Sequence, residues 1–385
     1  MMLGLLLARA GVDVTVLEKH ADFFRDFRGD TIHPSTLQVM DELGLLDRLL
    51  EIPHSEIAEL GGRIGGRTVG IADFRHVPGR CKFIAFMPQW DFLNFLAEEA
   101  RRYPAFRLMM ETEAVDLLRE GDRVTGVVAQ TAQGELRLEA DLVVACDGRR
   151  SVLRERVGLH VLDIGAPIDA LWMRVSKRPD DPGQTFGNIA PGGVLVAIDR
   201  RDYYQCAFVI RKGGFEAIQA GGIEAFREDI ATLAPFLRDR VQEIKDWNDV
   251  KLLTVTVDRL QQWYLSGMLC IGDAAHAMSP VGGVGINLAV QDAVAAANIL
   301  SPPLRQGTVS THDLRNVQRR RELPTILTQW LQVQLQNRFL DRVLAAGEKM
   351  TVPPILMLLN DFPMLRRIPA RIVGVGFRPE HVWEQ

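Results

Sequence analysis

Residues 269–300, LCIGDAAHAMSPVGGVGINLAVQDAVAAANIL, constrain this chain more than any other stretch. An apolar run over 268–271 predicts a buried strand that stops at Gly272-Asp273. Pro280, Gly282, Gly283 and Gly285 make the following loop, and 286–300 has the apolar, alanine-rich pattern of a buried helix. A helix that starts after such a loop offers unpaired backbone N–H groups and the positive end of its dipole, so it can hold a phosphate or stabilise negative charge on a ring. Asp273, at the end of the strand, suits a different task, accepting hydrogen bonds from sugar hydroxyls. An ordinary buried strand–helix unit whose glycines only turn the chain has the same pattern, so other segments must separate the two readings.

The first such segment is the N-terminus. Residues 2–10 have the pattern of a helix end, Gly11 suits its C-cap, and Val12, Val14, Val16 and Leu17 predict a strand ending in Glu18. A helix–strand pair ending in an acid is the second half of a dinucleotide-binding βαβ unit, in which the acid bonds the adenosine ribose. The first half, an apolar strand with G-x-G-x-x-G, does not occur here, and the expectation is a start that falls after it, by assignment, cloning or natural truncation. Arg25 and Arg28 precede Gly29, and Arg28 is a candidate for a pyrophosphate or an ordinary surface cation. A helix is predicted from Ser35, with Leu37, Met40, Leu43 and Leu46 at helical spacing. Residues 56–87 predict a small β-meander turning at Gly61-Gly62 and Gly65-Gly66, after which Met87-Pro88-Gln89-Trp90 opens a helix over 91–102 with Gln89 at its exposed N-terminal corner. Strands over 111–118 and 123–131 predict a hairpin through Gly121-Asp122. A second apolar strand, 142–146, ends in Asp147-Gly148 and is followed by Arg149, Arg150 and Arg154; this is either a place for phosphate-bearing ligands or a helix N-cap with solvated arginines.

Residues 160–265 change in texture. Strand patterns at 168–175, 194–198, 203–210 and 250–257, with a helical insert over 215–233, predict an antiparallel sheet carrying a helix, the natural second-ligand domain. Within it Tyr203 and Gln205 share a strand face and are candidates for a pocket or for plain sheet packing. A long helix over 311–344 is expected to kink at Pro324, and the 352–359 apolar piece suits either a core or a bilayer surface. No apolar run approaches the length of a membrane span, so stable membrane insertion is not expected. The net charge of −4 argues against nucleic acid, and the Arg319-Arg320-Arg321 run is expected to be a solvated helix face. The four cysteines match no metal-ligand spacing and suit reduced core thiols in the cytoplasm.

Taken together, Glu18, Arg28-Gly29, Met87-Pro88-Gln89, Asp147-Gly148 and the run from Gly272-Asp273 through Pro280 to Gly285-Ile286-Asn287 resemble, in order and spacing, the FAD-dependent aromatic hydroxylases of the p-hydroxybenzoate hydroxylase type. The resemblance implies an α/β fold: a discontinuous FAD/NAD(P)-binding Rossmann-like domain over 1–159 and 266–350, an inserted antiparallel-sheet substrate domain over 160–265, and a helical C-terminal tail over 351–385. It implies that Asp273 bonds the flavin ribityl chain, that Ile286-Asn287 contact the isoalloxazine edge through backbone groups with Pro280 beside the ring and Gly283 and Gly285 in the same cofactor-binding loop, and that Arg28 and Gln89 hold the pyrophosphate and ribityl regions. Asp147 would serve both FAD and the incoming NADPH or NADH. The implied reaction is hydroxylation of an aromatic or polyketide-like molecule by oxygen through a C4a-hydroperoxyflavin. Another FAD oxidoreductase on this scaffold, or a chain with impaired FAD binding, has the same motifs. The sequence assigns no catalytic acid or base, and no oligomeric state.

Overall fold

The N-terminal helix, Met2–Arg9, is followed by Gly11 at φ +75°, whose N–H bonds the Ala8 carbonyl while Val12 bonds that of Leu7. This left-handed stop is open to glycine at little cost, and it turns the chain into the Val14–Leu17 strand. Helix and strand approach closely because Gly4 lies between them; a Cβ there would sit 2.8 Å from Val16 Cγ2. The protein is described by a computed structural model covering residues 1–24, 31–182, 185–190, 193–200, 202–337 and 352–383. Arg25, Arg28 and Gly29 lie outside the described residues, as does the predicted helical stretch beyond 337.

The first layer consists of short parallel pairs. Val14–Leu17 pairs in parallel with Phe106–Met109, and Val143–Ala145 pairs in parallel with Met268–Cys270, which also pairs with Tyr264–Leu265. The Met2–Arg9 and Gly285–Arg305 helices pack on one another, and their leucines, valines and alanines share one core with these strands. Mixed parallel strands and packed helices make this the expected α/β unit. The expected hairpin is the antiparallel ladder of Glu113–Glu120 with Arg123–Thr131, to which Gly134–Glu139 adds a third strand.

The second layer is a seven-stranded sheet. In order it runs Lys251–Leu253, Ile168–Ser176, Tyr203–Arg211, Gly193–Asp199, Phe186–Ala190, Glu59–Ile64 and Arg67–Asp73. One face packs on the Ile223–Leu233 helix through Leu171, Met173, Leu195, Cys206 and Phe208. The two last strands correct the sequence reading: the hairpin within 56–87 is the edge of this sheet, joined to it through the parallel pairing of Asn188 and Ile189 with Arg63 and Ile64. Its unpaired backbone edge finds a partner there that local sequence cannot specify.

The Gly285–Arg305 helix corrects another expectation. With its lead-in from Val281 it is long and apolar enough to cross a membrane by length and composition, yet 72% of that window is buried inside the protein. The Thr311–Leu335 helix continues through Pro324, and the expected solvated arginine run is only partly so: Arg321 is 1% exposed. After the Pro354–Asp361 and Arg367–Gly374 helices the chain returns to the first unit, where Glu380 accepts from Arg320 and Arg321 and Val382 N–H bonds Glu42.

Candidate flavin site

One cavity of about 3080 Å³ runs between the parallel strand pairs, the glycine loop and the seven-stranded sheet. Glu18, Gln89, Asp147, Asp273, Pro280, Gly283, Gly285 and Ile286 all line it. These residues are spread over more than 260 positions of sequence and meet only through the fold.

The glycine loop is pinned from behind. Gly282 and Gly283 adopt φ of +80° and +62°, and a Cβ on Gly283 would lie 2.2 Å from Thr31 Oγ1, which donates to the Gly283 carbonyl. Asn287 is buried and does not line the cavity. Its Oδ1 accepts from His33 N–H at 2.9 Å and Thr36 Oγ1 at 2.7 Å, and its Nδ2 donates to the Thr31 and Gly283 carbonyls. The Asn287 side chain is therefore spent on holding the helix to the 31–36 segment. The Gly285–Arg305 helix has no side-chain cap and no acid in its first turn, and its first residues, Gly285 and Ile286, line the cavity, so the positive end of its dipole lies at the cavity wall.

Beneath the Gly272-Asp273 turn lies a buried ion network. Asp292, 0% exposed, accepts from Gly272 N–H at 3.0 Å, His276 Nε2 at 2.6 Å and Arg321 Nε at 3.0 Å. Arg321 also donates to the Arg378 carbonyl and to Glu380, which ties the C-terminal tail to the turn. Burial alone would raise the Asp292 carboxyl; the His276 ring and the Arg321 guanidinium outweigh it and hold the group below its ordinary value. His33, at the start of the Pro34–Glu42 helix, bonds the Val373 carbonyl through Nδ1, and burial pushes its imidazole down to about 4. Sequence reasoning missed His33, Asp292 and Arg321. Asp292 did leave a signal: an acid inside an otherwise apolar helix requires a buried partner.

On the cavity wall Asp273 is part-exposed, with Arg149 Nη2 at 3.7 Å. Asp147 accepts weakly from Leu153 N–H at 3.4 Å. Gly148 has φ +86° with nothing within 4 Å of where a Cβ would stand, so a side chain there would project into free space beside the cavity. Arg154 is neither solvated nor a ligand candidate; it is buried and donates to the Ala274 and Arg149 carbonyls. Glu18 accepts from His20 N–H at the end of its strand. Arg28 is outside the described residues.

Opposite the glycine loop, the second face of the seven-stranded sheet contributes an apolar wall. Ala170 and Trp172, Ala207 and Val209, and Val194 and Val196 project from adjacent strands in register. Tyr203 and Gln205 have the same parity as Ala207, but neither lines the cavity. The Tyr203 ring lies 3.9 Å from the Arg174 guanidinium, and Gln205 is buried, accepting from Arg200. Strand alternation gave their face correctly; how far the cavity extends along the strand was not local information.

An uncapped helix start, a part-exposed acid beside an arginine, and a glycine whose missing Cβ leaves room fit a ligand with a sugar-like chain, phosphates and an electron-accepting ring. A family model described as "FAD binding domain" matches residues 1–329. The 6-methylpretetramide 4-monooxygenase of Streptomyces rimosus is 32% identical over 377 residues, spanning 96% of this chain and 88% of that protein. The rifampicin monooxygenase of Streptomyces venezuelae is 29% identical over 303 residues, 75% of this chain and 60% of that one. Among solved structures, p-nitrophenol 4-monooxygenase PnpA from Pseudomonas putida superposes with a TM-score of 0.77 at 20% identity, covering 96% of this chain and 93% of that chain, which is a likeness of fold. The chain belongs to the FAD-binding-domain family and is an FAD-dependent monooxygenase of the aromatic hydroxylase type.

Proposed function

We propose that this enzyme uses NADPH or NADH and oxygen to hydroxylate an aromatic, polyketide-derived small molecule. The observation that carries the reading is the pairing of two unlike walls in one cavity: an uncapped helix start with polar neighbours on one side, an apolar sheet face on the other. A relative acting on 6-methylpretetramide supports the substrate class. FAD held by these residues and reduced by the nicotinamide would supply the oxygen-transfer chemistry.

The chain's own residues do the rest. Asp273 would accept from the ribityl hydroxyls, with the Arg149 guanidinium 3.7 Å from its carboxylate. Glu18 takes the adenosine ribose, Gln89 and Arg28 the phosphate and ribityl region, and Asp147 the zone shared by FAD and the nicotinamide. Pro280, Gly283, Gly285 and Ile286 would border the ring, where the helix dipole favours negative charge, while Asn287 braces the loop from behind. Ala170, Trp172, Ala207 and Val196 give the substrate side an apolar wall that excludes water. Cys81, Cys206 and Cys270 are free and buried as expected of core thiols, whereas Cys146 is free and exposed at the end of its strand beside the cavity.

Two measurements test this. Nicotinamide oxidation with candidate polycyclic phenols is expected to yield product carrying one added oxygen atom; consumption that produces only peroxide with every candidate would overturn the hydroxylase reading. Asp273→Ala is expected to weaken FAD retention about tenfold, near the loss of one charge-assisted hydrogen bond, and unchanged retention would remove that side chain from the site.

A further inference from the structure

The surface around the cavity opening has a composition that neither flavin binding nor hydroxylation requires. Residues 352–378 hold one acid, Asp361, against the exposed Arg367, Arg371 and Arg378, while Arg366 donates inward to the Leu359 and Asn360 carbonyls, in a chain whose overall charge is −4. The Pro354–Asp361 helix has no buried residue. Ile355, Met357 and Leu358 are exposed on it, and Phe362, Met364 and Ile368 continue the exposed apolar side chains along the chain, Met364 at 72%. Trp330, Leu335 and Ile355 are exposed and also line the cavity, so they mark its opening from the Thr311–Leu335 helix on one side and the Pro354–Asp361 helix on the other.

Large exposed apolar side chains grouped in this way mark an interaction surface. The arginines narrow the choice of partner. An isologous pairing of two copies would set this cationic patch against itself, whereas an anionic lipid surface satisfies both features, taking the apolar side chains at the acyl boundary and the arginines at the headgroups. We propose that this face docks reversibly on an anionic phospholipid bilayer, with the cavity opening at the lipid boundary, so that an apolar substrate enters from lipid. The identity of the cargo rests on the aromatic-substrate reading; the docking does not.

The test is flotation of the FAD-loaded full chain with vesicles of phosphatidylglycerol and phosphatidylcholine, against phosphatidylcholine alone. The chain is expected to float with the anionic vesicles. Partitioning should fall at least about tenfold in Met364→Ser/Ile368→Ser, and again in Arg367→Gln/Arg371→Gln, as expected for losing apolar insertion or two headgroup contacts. Brominated phospholipid should quench part of the tryptophan emission in the parent chain and less of it in Trp330→Phe. Absence of flotation with either vesicle, unchanged partitioning in both double variants, or a dimer in ultracentrifugation that Met364→Ser/Ile368→Ser dissolves would each overturn the proposal. Vesicle binding is read without turnover, so a chain that floats but hydroxylates no phenol would sink the substrate reading alone.

Discussion

The two ends of the cavity are built differently. At the end proposed for the flavin ring, the 272–292 stretch is held by Asp292, His276, Arg321, Asn287, Thr31 and His33, most of them buried and bonded to a second element. At the end proposed for the nucleotide, Glu18 follows the Val14–Leu17 strand and accepts from His20 N–H, Asp147 stands just past the Val143–Ala145 strand and accepts weakly from Leu153 N–H, and both acids line the cavity. The ring end is preorganised by protein contacts alone. Those hydrogen bonds of Glu18 and Asp147 reach only two and six residues along the chain. The contrast suits the chemistry, because the reacting ring needs fixed geometry whereas the adenosine serves as a handle.

The contrast is broken most severely at Asp292. Asp292→Ala leaves Arg321 and His276 buried without their acceptor and is expected to cost roughly 3–5 kcal/mol of stability, read as a large drop in melting temperature. A loss below about 1 kcal/mol, the level of an exposed pair, would show that the ring end is not held by this network.

The next largest effect is a pH dependence. The fold accepts the neutral His33 imidazole, held near 4 against an ordinary 6.5, so the unfolded chain binds the extra proton between those values. Stability from this group is complete above pH 6.5 and is lost as the pH falls toward 4, a change of roughly 3 kcal/mol at most. Asp292, whose carboxyl is held down, adds a loss in the same direction at lower pH. Denaturant titrations from pH 7 to 4 should be steeper in the parent chain than in His33→Gln; equal slopes would remove His33 from the account.

The smallest effect sharpens the comparison glycine by glycine. Gly283→Ala puts a Cβ into Thr31 as well as into a left-handed conformation, and roughly 1–3 kcal/mol of strain is expected, together with weaker flavin binding. Gly148→Ala, also left-handed but facing open space, should cost about 1 kcal/mol. If melting curves show equal losses, the ring end is no more tightly packed than the nucleotide end.

Much of the site was legible because its elements are local. Strand-end acids at Glu18 and Asp147, the turn at Gly272-Asp273 and the helix after Gly285 are written in hydrophobic runs that stop at glycine or acid. Partners distant in sequence were not legible. Arg321 reads as a surface arginine until Asp292 and Glu380 surround it, and the 56–87 hairpin reads as a local meander until its edge meets Asn188 and Ile189.

The sequence by itself determined the α/β class, the family and the glycine loop that leads into the Gly285–Arg305 helix, since periodicity and glycine placement follow from backbone sterics within a few residues. Only the tertiary structure decided that Asn287 works through its side chain as a brace, that Tyr203 and Gln205 stop short of the cavity, and that the apolar 352–359 piece is exposed beside the cavity opening. Burial and ion pairing depend on which surfaces meet, and that is settled by packing across the whole chain.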